Sequence, residues 1–378
     1  MRPLISRHLV WALALFFVFA VAAGRAGAQE YTADVLYQIG APDGDTAPEA
    51  TYVDTDGQAI GYAMNDGNQH AVYWNSDGVA VDLNPPGFTS SFCGSSDPGD
   101  AAGISGDQEV GSGVTAGGAT HALLWTGTAA SFVDLNPPEA SYSEANANFG
   151  SFQGGLAVDN SDSYAADWNG SASLNTDLDT LGQVLAMDGQ NQVGYGGIPF
   201  GNAVNAAEWS GTAGSVTFLT TPQRKTSYAF GVSGTQVVGV IGPPGGLLPS
   251  EPVLWTGGSV IDLSVAGYAP HGDAYATNGV SQVGVQGTDS GEADAMLWNG
   301  SATNYVDLGE LIPSSYGATG STGESIDANG DVYGSFNTSS GAQYAIEWVA
   351  TVPEPSCAAM LVGAASLLIG RRRRSHVH

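Results

Sequence analysis

Basic residues are nearly missing from this chain. Only nine of its 378 residues are Lys or Arg, against 37 Asp or Glu. Seven of the nine sit at the ends: Arg2, Arg7 and Arg25 at the N-terminus, and Arg371, Arg372, Arg373 and Arg374 at the C-terminus. Between residues 29 and 351, Arg224 and Lys225 stand alone against 36 acidic residues. Such a surface repels phosphate backbones, which excludes nucleic acid as a partner, and it avoids anionic membrane surfaces for the same reason. Cysteine is equally scarce. Cys93 and Cys357 are the two thiols, and Cys357 lies in an apolar tail, so the body has no internal disulfide. It must be held by its own core, which a body of about 320 residues can build. Recognisable catalytic motifs are lacking too: there is no HExxH, GxSxG, Walker-type loop or CxxC. Histidine in the body is limited to His70, His121 and His271, and the first two hold equivalent repeat positions, which suits a structural role. The expectation from these absences is a protein that is not an enzyme, with no catalytic residue and no metal. Calcium is the one ion to consider, at Asp54-Thr55-Asp56-Gly57 and Asp327-Ala328-Asn329-Gly330-Asp331. Both begin like oxygen-ligand loops but lack the closing acidic ligand, and hairpin-turn chemistry accounts for the same residues.

Long apolar runs of helical period are absent between residues 30 and 350, while glycine reaches 54 of 378 residues. That is all-β composition. The tryptophans give the period. Trp74, Trp125, Trp168, Trp209, Trp255, Trp298 and Trp348 are spaced by 51, 43, 41, 46, 43 and 50 residues, the range of propeller blades. Three residues before each Trp stands Ala71, Ala122, Ala165, Ala206, Pro252, Ala295 or Ala345. Upstream, most units carry a strand ending in Gly, such as Val110-Gly111, Val238-Gly239 and Val283-Gly284. The third unit is degenerate there, with Gly154 as the nearest match. Downstream runs an apolar-Asp-Leu strand, as in Val81-Asp82-Leu83, Val133-Asp134-Leu135, Ile261-Asp262-Leu263 and Val306-Asp307-Leu308. Each unit reads as four short strands, those of the second being 101–105, 109–114, 121–126 and 132–135. One Trp per unit at a fixed place is an inter-blade packing residue. The seventh unit lacks its last strand, and Asp34-Val35-Leu36-Tyr37 has no unit of its own. The expected fold is therefore all-β: a seven-bladed propeller-like ring closed by the N-terminal strand, which removes an open edge.

The ends carry addresses. Arg2 and Arg7 precede an apolar run from Leu9 to Ala23, and Ala26-Gly27-Ala28 forms an A-x-A cleavage site, together a signal peptide over residues 1–28. At the other end, Val352-Pro353-Glu354-Pro355 precedes an apolar segment and then Arg371 to Arg374. Only 15 residues separate Pro355 from the arginines, where a stable span needs about 20. A transient sorting helix fits better than a permanent anchor. The order Pro353-Glu354-Pro355, apolar segment, Arg cluster resembles a PEP-CTERM sorting signal, a tail that is also labelled the ice-binding protein C-terminal domain. The four residues after the arginines depart from that pattern. The resemblance implies export in a Gram-negative-type bacterium, exosortase as a processing partner, transient inner-membrane contact, and a final place in the envelope or outside the cell. It divides the chain into the signal peptide, a repeat domain over 29–351 and a sorting segment over 352–378.

The body is similar to the HAF type of extracellular repeat. His70-Ala71-Val72 and His121-Ala122-Leu123 match its His-Ala-Phe signature in part; elsewhere Tyr164, Asn205, Glu251, Asp294 and Tyr344 replace the His, and no unit has Phe in third place. Together these features lead to the expectation of a non-enzymatic envelope or biofilm-matrix protein, a structural or binding module in contact with exopolysaccharide or other envelope proteins. The alternative is a carbohydrate- or protein-binding lectin-like propeller, with Tyr142, Phe149, Phe200 and Tyr316 as exposed aromatics. A polysaccharide hydrolase or lyase with a carboxylate pair on the central channel is the third reading, though nothing in the sequence marks which pair.

Overall fold

The computed structural model describes residues 30–94, 103–159, 162–178, 181–189, 191–197, 204–212, 214–221, 226–243, 249–288 and 291–351. The expected signal-cleavage residues Ala26 and Ala28, the expected sorting motif Pro353, Glu354, Pro355 and Arg371 to Arg374, and the expected C-terminal helix lie outside them, as does Phe200. Thr32–Val349 forms one compact unit. Within the described residues no helix is long and apolar enough to cross a membrane.

The unit is a seven-bladed β-propeller of antiparallel sheets. The first blade comprises Thr46–Val53, Ala59–Asn65, Asn68–Trp74 and Ala80–Asp82, paired in chain order. The next five blades repeat that order. The seventh has Ala318–Ile326, Val332–Thr338 and Gln343–Thr351, and its fourth strand is Glu30–Gln38 from the far end of the chain. The ring closes as the unassigned N-terminal strand implied. The second blade departs from the expected limits. Its innermost strand is Phe88–Cys93, and the short strand Ile104–Ser105 pairs farther along the same neighbour, Gln108–Thr115.

The repeat signature has a physical basis at each position. Every Trp of the repeat is buried; six of them lie in clusters that mix their own blade with the preceding one, and Trp348 donates its Nε1–H to Leu308 O of the preceding blade at 2.9 Å. Trp125 packs with Ile60, Ala71 and Leu83, for example, and Trp298 with Val238, Leu254 and Leu263. The small residue three before the Trp is a junction. Its carbonyl accepts the N–H of the Leu in the apolar-Asp-Leu strand, at 2.8 Å for Leu83 to Ala71 and 2.9 Å for Leu308 to Ala295. Its own N–H donates across the blade boundary to a serine hydroxyl: Ala71 to Ser91, Ala122 to Ser143, Ala206 to Ser227 and Ala295 to Ser321, at 2.8–3.0 Å. A larger side chain would hold the blades apart. Pro252, at the same place, has no N–H to give.

The recurrent Gly of the second strand is required by a close approach. A Cβ on Gly61, Gly194, Gly239 or Gly284 would stand 2.0 Å from a carbonyl oxygen of the innermost strand. In the third blade this residue is Gly155, 1.9 Å from Glu144 O by the same construction; Gly154, the sequence match, instead faces Val184 of the next blade. Opposite these glycines the innermost strand slips register, leaving one extra residue in a β-bulge: Thr51, Asn146, Leu185, Phe230, Tyr275 and Glu324 in six of the blades. A bulge bends its strand and re-aims a side chain.

Candidate active site

The C-terminal ends of the innermost strands converge on a cavity of about 410 Å³. Each blade contributes to its lining, among others through Asp54, Ser105, Asn148, Met187, Phe230, Tyr275 and Glu324. Only the propeller axis is reached by all seven blades, so this is the axial cavity. Its wall is divided. Blades five and six present Phe230 and Tyr275 at their bulges, and these pack with Leu185, Tyr195 and Tyr228 behind them. Phe230 and Tyr275 lie 5.9 Å apart and Tyr195 meets Tyr228 edge-on at 4.9 Å. Blades seven and one present carboxyl groups instead.

Those carboxyls are held by the junction where the ring closes. Glu324, at the bulge of blade seven, is 4% exposed. It accepts the N–H of Val53 at 2.6 Å and the hydroxyl of Ser335 at 2.7 Å. Ser325 donates to the carbonyl of Val53 at 2.8 Å, so both backbone groups of the residue before Asp54 are clamped by blade seven. Asp54 is 6% exposed and accepts the N–H groups of Asp56 and Gln58 at 2.9 and 2.8 Å. Loss of water pushes both acids up. Glu324 rises from 4.5 to about 8 and Asp54 from 3.8 to about 6; the backbone hydrogen bonds pull each back only partly. At neutral pH, Glu324 is therefore a proton donor and Asp54 an acceptor, the split of acidities that acid–base chemistry needs.

The same shifts make stability pH-dependent in an unusual sense. The unfolded chain loses these protons near pH 4, whereas the folded chain holds them until about pH 6 at Asp54, 7 at Glu109 and 8 at Glu324. Folding takes up protons in that window, so stability falls as pH rises from about 4.5 to 8. The melting temperature is expected to be higher at pH 5 than at pH 8.5, with a flatter profile in Glu324→Gln. A melting temperature that rises across this range would refute the burial of these acids.

Asparagines add unmet hydrogen-bonding capacity. Asn148 is 6% exposed; its amide N–H donates to Gln108 O at 3.0 Å, and its Oδ1 has no partner. Asn146, at the bulge of blade three, is fully buried, gives its N–H to Val184 O and also leaves Oδ1 unpaired. No Lys or Arg lies among the described residues, so no basic side chain there balances the acids.

The histidines serve the repeat. His70 Nδ1 lies 2.9 Å from Asp82 Oδ2 and His121 Nδ1 2.8 Å from Asp134 Oδ2. Each pair joins the signature His to the Asp of the apolar-Asp-Leu strand, far from the axis. The first pair has a third neighbour, Asp45, and the three offer ligand atoms within 4.8 Å of one another, a set able to hold a metal ion. The stretches considered for calcium are Asx turns: Asp327 Oδ1 accepts the N–H groups of Asn329 and Asp331 at 2.8 Å each, as Asp54 does for its own turn. Of the aromatics singled out, Phe149 is 45% exposed and lines the axial cavity. Tyr142 donates to Glu144 beside it. Tyr316 stands against Phe336 and Tyr344 at the rim of blade seven. Sequence reasoning missed Asp54 as an axial acid, and Glu324 and Asn148 altogether. Only Glu324 carried a signal, a polar residue just past the partner of the recurrent Gly334; Asp54 follows the end of its strand and Asn148 pairs with Gln153, away from the recurrent Gly.

No protein-family model matches the chain, and no curated protein matches it. Solved structures share its fold. A puromycin hydrolase variant aligns over 82% of this chain and 55% of its own, with a TM-score of 0.52 at 10% identity. An acylaminoacyl peptidase from Pyrococcus horikoshii covers 83% of this chain and 53% of its own (TM-score 0.49, 8% identity), and the propeller domain of the Trilobed protease from Pyrococcus furiosus covers 80% of this chain and 95% of its own (0.48, 11%). The chain spans about half the length of the puromycin hydrolase and the acylaminoacyl peptidase it matches. The fold that the chain shares with the puromycin hydrolase is the β-propeller. That this neighbour is a hydrolase overturns the expectation of a non-enzymatic matrix module. The physical reason is sequence distance. Motif reading detects groups that are neighbours in the chain, whereas Asp54 and Glu324 reach one cavity from opposite ends of the sequence, at the ring's closure.

Proposed function

We propose that this chain is a hydrolase acting on amide bonds of peptide-like substrates in its axial cavity, with Asp54 and Glu324 handling the protons. Asp54 takes a proton from water as its oxygen adds to the amide carbonyl. Glu324 gives its proton to the departing nitrogen as the C–N bond breaks, and for the next turnover Asp54 releases its proton to bulk water while Glu324 takes one up. The observation that carries the reading is the pair of unlike carboxyls, one protonated and one ionised near neutral pH, in one axial cavity. The puromycin hydrolase that shares the fold suggests the bond class. The signal peptide and the PEP-CTERM-like tail, with the HAF-like repeats, support an exported enzyme working in the envelope or outside the cell.

The test is hydrolysis of fluorogenic aminoacyl amides by the purified full chain. The expected rate profile is bell-shaped, with limbs near pH 6 and 8, and Asp54→Asn and Glu324→Gln each lower the rate by about 10²-fold or more. No turnover above background, or full activity in both variants, would overturn the proposal.

A further inference from the structure

Away from the axis, blade one gathers a different set of groups. We propose that Asp45, His70 and Asp82 bind one divalent transition-metal ion of the zinc type, and that the ion fastens the connector behind the ring-closing strand to blade one. The proposal is independent of the hydrolase reading and uses none of the axial residues.

The three residues come from separate parts of the blade. Asp45 directly precedes the innermost strand, His70 sits in the third and Asp82 ends the fourth. Each offers one ligand atom, and the three atoms lie within 4.8 Å of one another. His70 Nδ1 is 2.9 Å from Asp82 Oδ2. When the imidazole proton sits on Nε2, Nδ1 presents a lone pair beside that oxygen. Each carboxylate is also oriented from behind. Asp82 Oδ1 accepts the N–H of Asn84 at 2.7 Å, and Asp45 Oδ1 accepts the side-chain amide of Asn65. Outer hydrogen bonds of this kind hold metal ligands in place. Two carboxylates and a neutral imidazole balance the charge of a dication. The cluster opens to solvent on the Asp82 side: the Asp82 side chain is 35% exposed, against 14% for His70, and it lines a surface hollow with Gly40 and Asp43.

Two further observations point to a cation. Asp45 Oδ2 is shut off from water and has no hydrogen-bond partner among the described residues, which is costly for a carboxylate oxygen unless a cation answers it. Blade two supplies the other. Its His121 and Asp134 repeat the pair of His70 and Asp82, 2.8 Å apart. His121 pairs with Gly113 as His70 pairs with Ala63. Two residues on, Thr115 pairs with Phe88, while Asn65 holds Asp45. Phe88 thus takes the place of Asp45, and it meets His121 edge-on with ring centroids 6.2 Å apart. An apolar ring satisfies the packing of the pair in blade two, so packing does not call for an acid in blade one. The nitrogen ligand selects the ion: imidazole suits zinc, copper, iron and nickel, whereas calcium and magnesium prefer oxygen ligands. The position gives the ion its task. Asp45 ends the connector that runs from Glu30–Gln38, the strand that closes blade seven, to blade one. An ion shared with His70 and Asp82 pins that connector to two further strands.

Isothermal titration of the full chain with zinc chloride at pH 7 tests the site. His8, His376 and His378, which lie outside the described residues, are changed to Gln throughout so that they hold no ion. One Zn²⁺ per chain is expected, with Ca²⁺ about ten-fold weaker or more. Outer-shell substitutions typically cost about 10- to 100-fold in metal affinity, so Asp45→Asn and His70→Gln should each cost at least as much. His121→Gln, which breaks the pair in blade two, should leave the affinity unchanged. Saturating Zn²⁺ should raise the melting temperature of the parent chain and of His121→Gln, and EDTA should reverse the rise; Asp45→Asn should show none. Circular dichroism checks that each variant folds. Absence of Zn²⁺ binding, full affinity in Asp45→Asn, an equal loss in His121→Gln, or Ca²⁺ binding as tight as Zn²⁺ would each overturn the proposal. Zn²⁺ binding with no rise in melting temperature would refute the fastening role.

Discussion

Removing the chain through Ile39 is expected to abolish the folded monomer. The strand Glu30–Gln38 is the outer strand of a blade whose other three strands come from the C-terminal end, so its loss leaves Gln343–Thr351 as a bare edge. More than an edge is lost. Ile39 is 4% exposed, donates its N–H to Gln343 O at 2.9 Å and packs in a cluster with Trp74 of blade one and Ala345 of blade seven. Leu36 and Tyr37 pack on the same cluster. Tyr37 donates its hydroxyl to Gly57 O at 3.0 Å, and Trp74 donates to Gly40 O at 2.7 Å. The segment thus ties the last blade to the first. The apolar burial alone contributes on the order of 5 kcal/mol, comparable with the whole stability of an ordinary domain. Size-exclusion chromatography and far-ultraviolet circular dichroism should show aggregated material with no cooperative melt. Adding a synthetic peptide of residues 29–41 should restore a monomeric fraction. A truncated chain that stays monomeric with an unchanged melting temperature would show that closure does not hold the ring.

Gly284→Ala should be nearly as damaging, for one methyl group. The new Cβ would lie 2.0 Å from the carbonyl oxygen of Asp273 and 2.8 Å from the Cα of Ala274. Neither is a side chain that can turn away. The two strands must part, breaking the bulge and the ladder beside it, at a cost of about 3 kcal/mol or more. Gly40→Ala is the matching control: its Cβ meets nothing within 4 Å, so the change should be neutral or slightly stabilising. Chemical denaturation compares the two. Equal midpoints would mean that the inner strand yields and that the glycine is incidental.

Much of the architecture was readable because a repeat writes each packing rule several times over. The Trp period gave the blades, since each Trp fills the same inter-blade gap, and the spare strand around Asp34–Tyr37 gave the closure. Where one unit departs from the pattern, reading by similarity slipped. In blade three two adjacent glycines offered themselves, and only backbone contact distinguishes Gly155 from Gly154. In blade two the inner strand is Phe88–Cys93, upstream of the turn from which the pattern was counted. The site was hidden for a different reason. Glu324 and Asp54 are ordinary acids among 37, and what sets them apart is loss of water at the axis, a property of the closed ring and of no local stretch. The non-enzymatic expectation came from searching for motifs that a ring assembled from distant strands has no need to contain.

The bulges give this fold a division of labour. Opposite an unchanging glycine, six blades place Thr51, Asn146, Leu185, Phe230, Tyr275 and Glu324: a hydroxyl, an amide, an aliphatic chain, two rings and an acid at one equivalent position. The glycine and tryptophan hold the frame, while the bulge residue is a letter that can be rewritten without touching it. Of the six, Phe230, Tyr275 and Glu324 line the axial cavity, so a propeller of this kind can change part of that lining one blade at a time while its shape stays the same.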